Sequence, residues 1–240
     1  MNPEKGLGLI LMQPSERMDV FIEKHAQGAE RAWYARESPP SDTTCCPRCR
    51  RDLSSLQGAK CGLYRCLDCP LTRTQCSRCI LDNHQMRPFD RIRRWNVKRQ
   101  LWEKVSVPDL GFILYLGHDG DPCPSIPTTI DGTFGLFTRT RAMVVVHEYG
   151  HTDIRALFCQ CADPAASEGV QLLERGLWPA TWVQPRTAMT LGMLETFHSL
   201  SQKAHVNVND YEAHLKRMTD AVLTEDVKVR SHVLAHAPVC

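Results

Sequence analysis

Three Cys-x-x-Cys pairs within thirty-four residues constrain this chain more than any other feature of its 240 residues. The pairs are Cys46/Cys49, Cys66/Cys69 and Cys76/Cys79, followed closely by His84. A two-residue spacer lets both thiolates of a pair bend toward one tetrahedral ion, so this spacing is typical of structural zinc sites. Sites closed by four protein ligands leave no position for a substrate. The pattern therefore predicts a fold stabilised by zinc rather than a catalytic centre.

The order of these ligands predicts how they share two ions. In a cross-braced arrangement, the first and third pairs bind one ion, and the second pair binds another with His84 and a fourth ligand. Asp90 lies six residues past His84, and aspartate is an acceptable although less common ligand of structural zinc. We therefore expect a small cross-braced, B-box-like module with two zinc ions. The alternative is a set of reduced core cysteines without metal.

A third group of ligands is predicted downstream. Cys159 and Cys161 form a Cys-x-Cys pair, and strand pairing would bring them beside His118 and Cys123. These four soft or borderline ligands would then hold a third zinc ion. The alternative is that Cys159 and Cys161 are ordinary buried residues on opposite faces of a strand.

Composition indicates an intracellular protein. Hydrophobic residues make up 42% of the chain, enough to bury one or two cores. No stretch approaches the ~20 apolar residues of a membrane span, and none resembles a secretory signal. In a chain without an export signal, Cys-x-x-Cys pairs carry metal more often than disulfides. We therefore expect no membrane partner.

Residue patterns predict an α+β chain in four parts. Residues 1–44 form a helix capped by Ser15 and a linker with Pro39 and Pro40, and residues 45–95 form the zinc module. Residues 96–222 form short antiparallel strands or hairpins followed by a helical segment, and residues 223–240 form a tail. Strand-like composition lies at 112–116, 133–137 and 143–146, and helical spacing lies at 170–173, 187–204 and 211–222.

The string His147-Glu148-Tyr149-Gly150-His151 matches the His-Glu-x-x-His motif of zinc metallopeptidases. On a helix both imidazoles would share one face, and Glu148 would act as general base toward a zinc-bound water. However, three β-branched residues precede the string and Gly150 lies inside it. Suitable third ligands are only loosely placed, at Glu168 or Glu174. We interpret the string as a turn between strands, and a zincin-type peptidase is the less favoured alternative.

A basic segment spans residues 87–99. It contains Arg87, Arg91, Arg93, Arg94, Lys98 and Arg99 against a single acidic residue, Asp90. With Trp95 and Trp102 nearby, this segment could neutralise phosphates and stack on a base. Its candidate nucleic-acid contacts are Arg91, Arg93, Arg94, Lys98 and Arg99. The alternative is a solvated basic face that balances the charge of the thiolates.

Further short motifs follow the cysteine pairs in order. They are Arg94-Trp95-Asn96, Asp109-Leu110-Gly111, Leu116-Gly117-His118, Phe158-Cys159-Gln160-Cys161, Gln171-Leu172-Leu173, Trp178-Pro179-Ala180-Thr181, Pro185-Arg186-Thr187-Ala188 and Phe197-His198. Together with the three pairs, they resemble the CxC cysteine cluster domain associated with KDZ (Kyakuja-Dileera-Zisupton) transposases, over about residues 46–220. The resemblance implies a nuclear, zinc-binding accessory domain that contacts DNA or assembles a transposition complex beside an RNase H-like catalytic domain.

Two departures from the family pattern shape the functional prediction. The family usually has a second histidine after His84, where this chain has Asp90. The family also tends to have Gly-x-His before its Phe-Cys-x-Cys, and here His151 lies one residue early and Thr152 takes the expected place. More important for function, we expect that the chain ends before a catalytic domain could begin. We therefore expect no catalytic residues and no small-molecule substrate, and the expected partners are DNA, transposase subunits or other proteins. The alternative from another class is a B-box-like protein-interaction scaffold unrelated to transposition.

Overall fold

Two β-sheets and six helices make up the described part of the chain. The structure is a computed structural model that describes residues 14–54, 62–70, 73–126, 140–161, 167–220 and 224. The helices are α1 (Pro14–Lys24), α2 (Ala26–Glu37), α3 (Ser77–His84), α4 (Glu168–Glu174), α5 (Leu191–Ala204) and α6 (Val208–Thr219). The strands are β1 (Leu63–Cys66), β2 (Gln75–Cys76), β3 (Ile92–Asn96), β4 (Leu101–Val105), β5 (Ile113–Tyr115), β6 (Arg141–His147), β7 (Gly150–Leu157), β8 (Leu177–Pro179) and β9 (Thr187–Thr190). The predicted α+β class is confirmed.

The first sheet contains four antiparallel strands in the order β2-β1-β3-β4. All of β1 is buried, and α3 packs against it. One of the buried clusters in this region consists mostly of cysteines, namely Cys46, Leu53, Leu63, Cys76 and Cys79. Thiols that are also candidate ligands thus supply much of the buried surface beside this sheet.

The second sheet contains five strands in the order β5-β7-β6-β9-β8. β6 and β7 form an antiparallel hairpin, but β5 pairs with β7 and β6 pairs with β9 in parallel. The prediction of short antiparallel strands is therefore wrong for these two pairings. Parallel neighbours need long crossover connections, which local sequence patterns do not reveal. Because β5 and β7 are parallel, the segments that follow them leave the same edge of the sheet.

The predicted helix over residues 187–204 begins later than expected. Residues Thr187–Thr190 form strand β9, which lies between β6 and β8, and the helix starts at Leu191. Thr190 caps this helix, because its hydroxyl accepts a hydrogen bond from the Met193 amide at 3.2 Å. Pairing on both sides thus overrides helical spacing in this segment.

The other predicted elements have varied outcomes. Strands at 112–116 and 143–146 and the helix at 170–173 correspond to β5, β6 and α4, and the last helix corresponds to α6. The N-terminal helix is split into α1 and α2 at His25. The 133–137 strand and the Ser15 side chain lie outside the described residues. The domain limits and the B-box-like detail stay predictions, and the β3–β4 hairpin crosses residue 95.

The second sheet has its own apolar core. One cluster on it contains Leu116, Met143, Val145, Ile154, Ala156, Phe158, Leu172, Leu177 and Ala188. A second cluster joins the sheet to α5 and α6 through Val146, Met189, Met193, Phe197, Tyr211 and Leu215. Within the described ranges, no helix has both the length and the apolar character needed to cross a membrane. The first sheet also buries an apolar cluster, formed by Tyr64, Cys66, Ile80, Ile92, Val107 and Leu110, so it differs from the second sheet in the share of cysteines among its buried residues.

Candidate metal centres

The first and third Cys-x-x-Cys pairs meet beside β2, and we call them the first group. Cys46 and Cys49 flank a tight turn in which the Arg50 amide donates to the Cys46 carbonyl at 2.8 Å. Cys76 ends β2, and Cys79 lies in the first turn of α3. The four sulfur atoms all lie within 4.8 Å of one another, and the Sγ atoms of Cys49 and Cys76 are 3.7 Å apart. Local turns thus aim four thiols at one point.

Backbone amides favour a thiolate in the first group. The Cys76 amide donates to the Sγ of Cys46 at 3.2 Å. Burial raises the pKa of Cys46, but the amides that donate to its sulfur outweigh burial and lower the pKa to about 6. Burial and the neighbouring thiols raise the pKa of Cys79. Four thiols at this separation cannot all ionise without a cation, so the group as a whole suits a bound divalent ion.

The second pair meets His84 and Asp90, and we call these four residues the second group. Cys66 ends β1, His84 ends α3, and Asp90 lies two residues before β3. The Nε2 atom of His84 lies 3.5 Å from the Sγ of Cys69. The Oδ2 atom of Asp90 lies 3.5 Å from that Nε2 and 3.5 Å from the Sγ of Cys66. Asp90 therefore occupies the fourth corner of the group.

Neighbouring groups fix the orientation of His84 and Asp90. The His84 side chain is 1% exposed, and its Nδ1 lies 2.7 Å from the carbonyl oxygen of Ile80. Because a carbonyl only accepts, Nδ1 carries the proton and Nε2 directs its lone pair into the group. Arg87 pairs with Asp90 at 2.9 Å and lies 3.9 Å from the Sγ of Cys69. The Ile80 contact aims Nε2 of His84 into the group, and Arg87 holds the Oδ2 atom of Asp90 that also faces His84 and Cys66.

The third group lies beyond the ends of β5 and β7. His118 lies in a short 3-10 turn after β5, and Cys159 lies two residues past β7. The Nε2 atom of His118 is 3.1 Å from the Sγ of Cys159 and 3.3 Å from the Sγ of Cys161. The Sγ of Cys123 is 3.6 Å and 3.7 Å from these two sulfurs. The parallel pairing of β5 with β7 brings the four residues together.

Two supporting residues shape the third group. A Cβ atom at Gly117 would lie 2.8 Å from the Cβ of Cys159, and Gly117 has a φ of +80°, so glycine is required there. Gln171 on α4 accepts from the Cys159 amide at 2.8 Å and donates to its carbonyl at 3.3 Å. The role of Gln171 was not predicted, although a polar residue beside two leucines was the available signal. Burial raises the pKa of Cys123, but donated backbone hydrogen bonds outweigh it and lower the pKa to about 6.

The interatomic distances fit tetrahedral zinc. With Zn–S bonds of ~2.3 Å and Zn–N bonds of ~2.0–2.1 Å, tetrahedral edges are ~3.8 Å between sulfurs and ~3.5 Å between sulfur and nitrogen. The sulfur separations are 3.6–3.7 Å for the Cys49–Cys76, Cys123–Cys159 and Cys123–Cys161 pairs, and His84 lies 3.5 Å from Cys69. His118 lies somewhat closer to its sulfurs than a tetrahedral edge, at 3.1 Å and 3.3 Å. These separations exclude disulfides, whose S–S bond is ~2.05 Å. The structure thus brings together the same three sets of residues that were predicted as ligands, and they are suited to hold metal ions.

The His-Glu-x-x-His string forms the β6–β7 hairpin, as predicted. β6 ends at His147 and β7 begins at Gly150, so no helix places the histidines on one face. In this register the two imidazoles lie on opposite faces of the sheet. The Nε2 of His147 lies 2.8 Å from the Thr152 hydroxyl, and the Nδ1 of His151 lies 3.1 Å from the Thr219 hydroxyl. The two histidines cannot share a catalytic zinc ion.

Four of the five candidate nucleic-acid residues form ion pairs within the chain. The pairs are Arg91–Asp68 at 2.6 Å, Arg93–Glu37 at 3.7 Å, and Arg94–Glu103 and Arg99–Glu103 at 3.2 Å and 3.4 Å. Lys98 is exposed. Trp95 is 5% exposed and packs edge-on against Trp102. Much of this basic segment therefore balances carboxylates of the protein itself.

A second basic set surrounds the first group and was not predicted. It consists of the exposed residues Arg48, Arg50, Arg51 and Arg78. Arg48 and Arg78 each directly precede the second cysteine of a pair, which was the signal available in the sequence. The Nη1 atom of Arg48 lies 3.4 Å from the carbonyl of Cys79 and 3.5 Å from the side-chain oxygen of Gln75. We call these four residues the basic knuckle.

A family model matches most of the second half of the chain. Residues 107–223 match the model described as the CxC2 like cysteine cluster associated with KDZ transposases. The matched range contains the third group and all five strands of the second sheet, whereas the first and second groups precede it. No curated protein and no solved structure matches the chain significantly. Residues 107–223 therefore belong to the family of CxC2-like cysteine clusters that are associated with KDZ transposases.

Proposed function

We propose that this protein is a zinc-binding accessory module of a KDZ-type transposase, or a part of one, that binds DNA and has no catalytic core of its own. One observation carries the proposal. The chain combines a CxC2-like region, which contains the third group, with two further groups of four ligands before it, and in each group all ligand atoms lie within 4.8 Å of one another. Such closed groups stabilise a fold and leave no open coordination position for a substrate.

The ligand types support zinc as the metal. The first group has four thiolates, the third has three thiolates and one imidazole, and the second has two thiolates, one imidazole and one carboxylate. Sulfur and nitrogen ligands in tetrahedral groups are typical of structural zinc, and a carboxylate is an accepted fourth ligand. When bound, zinc supplies a redox-inert cross-link and two positive charges that offset the thiolates.

The basic knuckle supports DNA as the partner. Its four arginines are exposed, and they lie on two turns that the first group brings together. Guanidinium groups bind phosphates with two parallel hydrogen bonds. With DNA as the partner, the proposed location of the protein is the nucleus.

Fluorescence anisotropy with a random DNA duplex at two salt concentrations tests this proposal. Each phosphate contact contributes ~0.9 to the slope of log affinity against log salt, so four knuckle contacts contribute a slope of about 3.6. Replacing the four knuckle arginines with glutamine should remove most of that slope. A matched variant with the same charge change, Arg31, Arg186, Lys203 and Arg217 to Gln, should retain it. Binding that does not depend on salt would contradict DNA as the partner.

A protein-interaction scaffold is the second candidate function. The ion pairs of Arg91, Arg93, Arg94 and Arg99 favour it, because they engage the charges that were expected to contact DNA. A groove between the loop after α3 and the edge of the second sheet also favours it. This candidate predicts a chain that binds three zinc ions but has no salt-sensitive affinity for duplex DNA.

A further inference from the structure

A groove of about 720 Å³ lies between the loop after α3 and the edge of the second sheet at β5. The loop after α3, which leads to Asp90 of the second group, forms one wall. The opposite wall includes β5 and residues 119–122, which lie between the ligands His118 and Cys123 of the third group. The shape of the groove therefore depends on two of the three metal groups.

The lining of the groove is largely apolar and aromatic. Phe89, Phe112, Tyr115 and Tyr149 are all half-buried at its surface, and Met86 at its edge is 82% exposed. Ligand sites commonly have volumes of about 300–1,000 Å³ and an apolar lining with a few polar groups. The groove thus has the size and surface to bury a large apolar side chain.

The rim of the groove is acidic. The carboxylates of Asp82, Asp119, Asp121 and Glu148 are exposed along it. A fifth lining carboxylate, Asp90, is paired with Arg87 at 2.9 Å. The other lining cation is Arg175, so four carboxylates against one guanidinium leave a net charge of −3. This charge repels a phosphate backbone and attracts a basic segment.

Arg175 adds an unpaired donor to the groove. Its Nη2 is buried without a hydrogen-bond partner within the described part of the chain. It lies against Gly120, where a Cβ atom would come within 2.5 Å of that Nη2. A buried donor without an acceptor is costly, so a carbonyl oxygen from an occupant would be favoured at this position.

We propose that the groove binds a short peptide segment of a protein partner, with a large apolar side chain flanked by lysine or arginine. The apolar side chain fills the aromatic lining, the basic side chains pair with the rim carboxylates, and a backbone carbonyl accepts from Arg175. This inference rests on the zinc-stabilised fold of the proposed function but not on DNA binding. It names a partner that the basic knuckle would not bind.

Anisotropy with three fluorescein-labelled peptides on the zinc-loaded full chain tests the proposal. The first peptide has phenylalanine and leucine at its centre between lysine and arginine residues. The second reverses the charges to glutamate and aspartate, and the third replaces the centre with serine. The first should bind at least about tenfold more tightly than either of the others, since it alone matches both lining and rim. Equal binding of the three, or a preference for the acidic peptide, would overturn the proposal.

Substitutions locate the binding surface. The double variant Asp121→Asn/Glu148→Gln should bind the basic peptide about fivefold more weakly, and Met86→Ser about threefold more weakly. The matched variant Asp153→Asn/Glu195→Gln changes exposed carboxylates outside the groove and should bind as the wild type does. An equal loss in both double variants would overturn the assignment to this groove.

Metal content separates this inference from the proposed function. Each variant is checked for bound zinc by native mass spectrometry before the titration. A chain that binds three zinc ions and duplex DNA but does not distinguish the peptides would overturn only the groove. A purified chain without zinc would overturn the proposed function instead.

Discussion

The region around the first group and the second sheet are stabilised by different kinds of buried residue. Around the first group, a buried cluster of five residues contains three of the four ligands, Cys46, Cys76 and Cys79. The second sheet instead buries two aliphatic and aromatic clusters that contain no ligand. Its ligands lie at the margin, where His118 is exposed, Cys159 and Cys161 are half-buried, and Cys123 is buried in a small cluster with Ile126 and Leu157. In one region the metal site is part of the main core, whereas in the other the main core lies beside the metal site.

The difference teaches what each ion contributes. The first sheet also buries a cluster of Tyr64, Cys66, Ile80, Ile92, Val107 and Leu110, so four of the eleven residues in its two clusters are ligands. A small region in which ligands supply so much of the core usually needs metal to fold. A sheet with its own apolar core needs the metal only to fix the loops at its edge. Loss of metal should therefore act unequally on the two regions.

Complete chelation should produce the largest effect. Structural zinc binding has an apparent free energy of ~10–16 kcal/mol. Loss of that stabilisation should unfold the region around the first sheet but not the apolar core of the second sheet. Hydrogen exchange followed by mass spectrometry should show loss of protection in β1 and β3, while β6, β7 and β9 stay protected. Equal loss in both sheets would break the comparison.

Single ligand substitutions should repeat the contrast on a smaller scale. Cys76→Ser should lower the free energy of unfolding by more than about 4 kcal/mol, because it removes both a ligand and part of a buried cluster. Cys161→Ser should lower it by about 1–2 kcal/mol. Urea unfolding followed by circular dichroism measures both values, and each variant should lose one zinc ion. Equal destabilisation would refute the distinction between core and margin.

Substitution of Asp90 tests the second group, whose ligands are two thiolates, an imidazole and a carboxylate. Asp90→Ala should weaken the affinity for one ion at least about 100-fold, since it removes one of four ligands and leaves an open position. Asp90→His should restore tight binding. Competition with a zinc indicator dye measures these affinities, and Asp82→Ala serves as a control on an exposed carboxylate. Unchanged affinity in Asp90→Ala would remove this residue from the ligand set.

The substitution His147→Phe gives the smallest predicted effect. It tests the contact between the loop after α3 and the second sheet. His147 stacks on Phe89 at 5.1 Å, and burial lowers its pKa to about 3 from an ordinary 6.5. Between these values the unfolded chain binds a proton that the folded chain excludes, so stability falls as the pH falls below 6.5. Relative to pH 7.5, the wild type should lose about 1.4 kcal/mol more at pH 5.5 than His147→Phe does.

Denaturant titrations of both proteins at the two pH values measure that difference. Release of zinc by acid affects both proteins alike, so subtraction isolates the histidine. If both proteins lost the same free energy of unfolding between the two pH values, burial would not lower the pKa of His147.

Features that depend on local spacing were predictable from the sequence, whereas features that depend on long-range pairing were not. A Cys-x-x-Cys turn requires few contacts beyond itself, and loops of limited length bring the pairs together, so the grouping of Cys46, Cys49, Cys76 and Cys79 is recoverable from the sequence. Glycine and β-branched residues likewise predicted the hairpin at 147–151. Metal occupancy of the groups stays a prediction.

Features that depend on distant neighbours were not predictable in the same way. Residues 187–190 have helical spacing, yet pairing with β6 and β8 makes them a strand. The basic segment suggested phosphate contacts, yet Glu37, Asp68 and Glu103 supply its partners from outside residues 87–99. Neither the parallel pairings nor these ion pairs leave a local pattern in the sequence.

Counting metal ions on the intact chain tests the central claim most directly. Native mass spectrometry of protein purified without added chelator should show three zinc ions per chain, one for each group of four ligands. Denaturation before the measurement should release all three. A chain that is folded by circular dichroism but carries one ion or none would contradict the account.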